Sequence, residues 1–85
     1  MQPSTGAPAG GDVELFAADR RDGERLIVAW REFNGFRYLD LRVHYRASDG
    51  TWKPTKTGIT VKRSELVSVA DAMAEACKRA KAVRL

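Results

Sequence analysis

The chain has little of what catalysis usually needs. It carries one histidine, His44, and one cysteine, Cys77, so a Ser-His-Asp or Cys-His arrangement has a single candidate base and no choice of partner. Asp40 and His44 share a face of an expected strand, but four strand steps set them about 13 Å apart, far beyond hydrogen-bond reach. No GxGxxG or Walker-type phosphate loop, no HExxH pair and no acidic calcium loop occurs. A protein without catalytic activity, metal or cofactor is expected. The lone cysteine closes no intramolecular disulfide, which points to a reducing compartment. The expected location is the cytoplasm in a bacterium or the nucleus in a eukaryote. No apolar run approaches the roughly 18–20 residues that span a bilayer, and no positively charged start leads into an apolar segment, so neither membrane insertion nor secretion is expected.

What the chain does contain fits one basic globular module. Its 85 residues leave no room for a second core, and 44% hydrophobic with 31% charged residues is a folding composition. Lys and Arg outnumber Asp and Glu by 15 to 11, a net charge of +4. Residues 1–12 (MQPSTGAPAGGD) hold two of the three prolines and three of the seven glycines with almost nothing to bury, and read as a disordered tail ahead of a domain over 13–85.

Val13 to Ala18 reads as a short strand, followed by turn chemistry over Asp19 to Gly23. Glu24 to Phe33 is rich in β-branched and aromatic residues and ends at Asn34-Gly35, a hairpin dipeptide. Arg37 to Arg46 alternates cleanly, with Leu39, Leu41, Val43 and Tyr45 on one face and Tyr38, Asp40, Arg42, His44 and Arg46 on the other. Ser48 to Gly50 makes a turn, Thr51 to Thr55 returns with Pro54 marking an edge or bend, and Gly58 to Lys62 is a last strand.

From about Arg63 to Ala82 the period changes to 3.6, with Leu66, Val69, Ala70, Met73, Cys77 and Ala80 forming one apolar stripe. Acidic residues stand toward the start of this helix and basic ones toward its end, as the macrodipole favours. The expected class is α+β: an antiparallel sheet of about four strands followed by one C-terminal amphipathic helix that covers one sheet face. So small a core leaves association as a natural source of further burial, and a homodimer is expected.

The charge is unevenly spread. Residues 1–30 carry 3 basic and 5 acidic groups, 31–63 carry 8 and 3, and 64–85 carry 4 and 3. Six of the seven aromatics, Trp30, Phe33, Phe36, Tyr38, Tyr45 and Trp52, fall inside or beside the basic middle segment. Bases stack on such rings at about 1–3 kcal/mol each while Arg and Lys neutralise phosphates, and a single strand offers the base faces that a duplex hides. Single-stranded nucleic acid is the ligand that suits this chemistry. Plainer readings stand beside it. Trp30 and Tyr45 follow apolar parity and fit a core, whereas Phe33, between polar neighbours before a turn, fits packing or stacking equally. His44 reads as a solvated imidazole, Cys77 as a small buried hydrophobe, and the cations of the helix end need only the dipole and solubility.

Four segments, REFNG at 31–35, YLDLRVHY at 38–45, DGTWKPTKTGI at 49–59 and the helix after them, resemble in order and spacing the C-terminal domain of transcriptional positive cofactor 4. The resemblance runs from about Arg25 to Ala74. It implies a curved four-stranded antiparallel sheet and a helix, paired into a twofold dimer that binds single-stranded DNA without catalytic activity. By position it gives Arg31, Arg42, Lys53 and Lys56 to phosphates and Phe33 and Tyr45 to bases. With Asn34 and Trp52 these make up the candidate nucleic-acid-binding set. Asn34, Phe36 and Thr57 stand where the family commonly has basic residues, which implies fewer phosphate contacts. Lys62 stands where a capping Ser, Thr or Asn is usual, with Ser64 as a later candidate cap.

The expected partners are single-stranded DNA or RNA, a second copy of the chain, and transcription or repair proteins. Two rivals remain at this point: a binder of RNA or structured nucleic acid, since stacking and backbone contacts discriminate sugars poorly, and a protein-interaction module whose basic face meets an acidic partner.

Overall fold

In the computed structural model, which describes residues 12–83, the chain forms β1 (Val13–Arg21), β2 (Glu24–Phe33), β3 (Phe36–Arg46), β4 (Trp52–Lys62) and α1 (Arg63–Val83). The strands pair antiparallel in chain order as one open sheet, with β1 and β4 at its edges. The expected tail lies outside the described residues apart from Asp12, whose Oδ1 accepts a hydrogen bond from the Glu32 backbone N–H at 2.9 Å.

The Asn34-Gly35 turn sets the register of the central hairpin. Both residues have positive φ, 51° and 82°, the type I′ geometry whose twist matches that of the strands. Phe33 faces Phe36 across it, and pairing then runs unbroken to Glu24 opposite Tyr45. Directly paired residues share a face. One face therefore carries Arg25, Ile27, Ala29, Arg31 and Phe33 of β2 with Phe36, Tyr38, Asp40, Arg42 and His44 of β3. The other carries Leu26, Val28 and Trp30 with Leu39, Leu41, Val43 and Tyr45.

Two strands differ from the sequence reading. β1 does not stop at Ala18 but runs to Arg21, because Asp19 and Arg21 pair with Arg25 and Glu24 and only Asp22 and Gly23 make the turn. The two pieces expected around Pro54 are one strand interrupted by a bulge, in which Thr55, Lys56 and Thr57 oppose Val43 alone. Proline is tolerated there because β4 is an edge strand. The Thr55 hydroxyl pins the bulge by donating to the Val43 carbonyl at 2.7 Å. Just after it Gly58 crosses β3 so closely that a Cβ there would meet the Leu41 carbonyl and lie 2.8 Å from the Arg42 Cα.

The helix starts at Arg63, which makes Lys62 its N-cap. Lys62 brings no capping side chain, but its backbone N–H donates to Glu65 Oε1 at 3.0 Å, the returning half of a capping box. Among the described residues α1 touches only β3 and β4. Leu66 and Val69 are half-buried and the positions from Ala70 to Ala82 are exposed, so within one chain the helix does not cover a sheet face. Cys77, expected to be buried, is exposed for the same reason.

The core is correspondingly thin. Ile27, Ala29, Val43 and Val61 are its buried apolar residues, and Leu15, Phe16, Ile59 and Val67 are more than half exposed. The radius of gyration is 14.6 Å, against roughly 11–12 Å for a compact domain of this length.

Candidate nucleic-acid interface

Arg31, Phe33, Arg42 and Trp52, four of the eight candidate residues, line one groove of about 580 Å³ together with Tyr38, Asp40, His44, Pro54 and Thr60. Strand parity brings them there. Arg31 pairs with Tyr38, Phe33 with Phe36, Arg42 with Gly58 and Arg46 with Trp52, all on the face that carries Asp40. Phe33 stands at the hairpin end with 67% of its surface exposed, and its partner Phe36 with 75%. These are rings free to receive another flat group.

The groove floor is buried and polar. Asp40 is 5% exposed and sits between two arginines. Arg42 Nε donates to its Oδ1 and Oδ2 at 3.2 and 3.3 Å, and Arg42 Nη2 to Oδ1 at 3.0 Å. Arg31 Nε lies 3.7 Å from Oδ2, and Arg31 Nη1 reaches Asp12 Oδ2 at 3.4 Å. Arg42 Nη1 donates to the Thr55 carbonyl at 3.1 Å, an oxygen in the β4 bulge. One carboxylate thus holds both guanidinium groups in place and neutralises part of their charge. An incoming phosphate meets arginines whose side-chain entropy is already reduced.

His44, expected to be solvated, is 5% exposed. Its place between Arg25 of β2 and Pro54 of β4 closes it off, and its Nδ1 lies 3.2 Å from the Arg42 carbonyl. Among the described residues no group of three or more His, Cys, Asp or Glu is placed to hold a metal ion.

The other four candidates lie elsewhere. Tyr45 and Lys53 pair with each other on the opposite, largely apolar face, with Tyr45 45% exposed. Within one chain they cannot share a groove with Phe33. Asn34 is used by the type I′ turn, and Lys56 is exposed in the bulge beside the Thr55 that Arg42 contacts. Sequence reasoning overlooked Asp40 as the partner of both arginines, although its parity with Arg42 puts the two on one face. It also overlooked Arg25, whose guanidinium carbon lies 4.4 Å from the centre of the Trp52 ring.

Comparison with known proteins adds one positive finding. Neither the curated proteins nor the solved structures yield a match. A family model, described as Transcriptional Coactivator p15 (PC4), matches residues 21–72, from the end of β1 through the first half of α1. That stretch contains the whole groove apart from its Asp12 anchor, and the family links it to nucleic-acid binding and transcriptional coactivation. More than half of the sequence is covered by this match, and the chain belongs to the transcriptional coactivator p15 (PC4) family.

Proposed function

We propose that the protein is a non-enzymatic, homodimeric binder of single-stranded DNA that acts where DNA is unwound, in transcription, replication or repair. The observation that carries this reading is the exposed Phe33 on the same sheet face as Arg31 and Arg42. Stacking needs an uncovered ring and a polyanion needs fixed cations, and a single strand presents bases and phosphates together. A duplex would offer phosphates alone to this groove. The homodimer is supported by the helix stripe from Ala70 onward, which its own sheet leaves uncovered, and by the thin core.

Fluorescence anisotropy of a labelled oligothymidine with parent and Phe33→Ala tests the reading. Loss of one stacked base, about 1–3 kcal/mol, corresponds to roughly 5- to 150-fold weaker binding. Equal affinity of the two proteins would overturn it. Competition by matched RNA separates the RNA reading, and an acidic polymer that competes as well as the oligonucleotide would point to a protein partner instead.

A further inference from the structure

Trp52 belongs to two grooves at once. Besides the one already described, it lines a second, of about 370 Å³, with Arg20, Arg21, Arg25 and Arg46 at the β1–β2 turn. Register puts both grooves on one sheet face, since Arg25 pairs with His44 and Asp19, and Arg46 with Trp52. Arg25 lies 4.4 Å and Arg46 5.9 Å from the centre of the Trp52 ring. The Arg46 backbone N–H donates to the Gly23 carbonyl at 3.0 Å, tying the end of β3 to the turn. Arg25 is oriented by Asp19 at 2.9 Å, and Arg21 lies 3.6 Å from Glu24.

We infer that this second groove is a further nucleic-acid subsite, so that one strand runs from the Phe33 end across Trp52 to the β1–β2 turn. The inference rests on the single-strand reading above. A guanidinium plane laid on an indole extends the stacking surface, because bases stack on Arg planes as well as on rings. Arg46, which is exposed, and Arg20 supply donors for phosphates one step further along the strand. The face of β3 from Phe36 to Arg46, along which the first groove runs, is about 33 Å long at about 3.3 Å per residue, enough for several nucleotides in a row, and the second groove carries the same path beyond Trp52 to the β1–β2 turn.

The test compares oligothymidines of about 6 and 20 nucleotides on three proteins: the parent, Arg46→Ala, and Arg25→Ala with Arg46→Ala. The inference expects the double variant to bind the 20-mer at least tenfold more weakly, with a salt slope shallower by about 0.7 for each phosphate left without its arginine. Binding of the 6-mer should weaken by a clearly smaller factor than that of the 20-mer. Arg46→Ala alone removes an exposed side chain and guards against a folding defect, and it should show the same length-dependent weakening to a smaller degree. Unchanged affinity for the 20-mer, or equal weakening at both lengths, overturns the second subsite while the first reading stands. A parent that binds neither oligonucleotide overturns both.

Discussion

At the scale of single residues, Asp40 decides how much positive charge the groove offers. Asp40→Asn keeps the size of the side chain and one acceptor oxygen but removes the negative charge and the second acceptor that hold Arg31 and Arg42. We expect a stability loss of about 1.5–3 kcal/mol, the range for hydrogen bonds to charged groups, together with tighter and more salt-dependent binding of oligothymidine. Weaker binding by a folded Asp40→Asn protein would show that Asp40 serves to position the arginines and not to restrain their charge. A second carboxyl gives a pH prediction. The Thr51 backbone N–H and then its hydroxyl donate to Asp49 Oδ1 at 3.0 and 2.7 Å and hold the Asp49 pKa below its ordinary value of 3.8. A carboxyl lowered in the folded state stabilises above its ordinary pKa and loses that contribution as the pH falls through the folded value. Unfolding midpoints of parent and Asp49→Ala should therefore differ at pH 7 and converge below pH 3.8. A gap that persists into strong acid would contradict the assignment. Part of this scale was legible beforehand: parity puts Arg42 and Asp40 on one face, though the pairing between them was overlooked, and the polar neighbours of Phe33 pointed to partial exposure while leaving packing and stacking equally open. The burial of His44 was not, because it depends on Arg25 and Pro54 from two other strands.

Among the elements, the Asn34-Gly35 turn and the β4 bulge aim the site. The turn was readable from its dipeptide, and because both its residues take positive φ it also fixes every pair of the central hairpin. The bulge was not readable, since nothing in KPTKTG marks three residues facing one, and local propensity cannot count ladder positions on the neighbouring strand. The same limit hid the last three residues of β1, which look like turn chemistry until β2 pairs with them. Gly58→Ala tests the close crossing beside Arg42. Its added methyl meets β3 backbone and not a flexible side chain, so a loss of about 1–3 kcal/mol in urea unfolding is expected from overpacking. A midpoint equal to that of the parent would show that β4 can shift away without cost.

For the whole molecule, among the described residues the helix meets only β3 and β4 and the core holds four buried apolar residues, and the proposed homodimer would supply the missing burial. The amphipathic pattern of α1 was plain in the sequence, but the surface that covers its stripe was not, because periodicity reports that a face is apolar and not what it meets. A charge in the stripe, Met73→Asp, is expected to halve the mass measured by light scattering and to remove the dependence of the thermal midpoint on protein concentration. A parent already at monomer mass would contradict the homodimer, and a dimer mass unchanged by the substitution would contradict the helix stripe as its contact. The central claim is that this sheet face takes single strands by stacking and phosphate contacts together. The most direct test titrates the protein against a labelled oligothymidine of about 20 nucleotides and a duplex of equal length over a range of salt. Binding of the single strand should stand well above that of the duplex, with log K falling by about 0.7 per phosphate contacted for each decade of salt. Equal binding of both, or none of either, would contradict it.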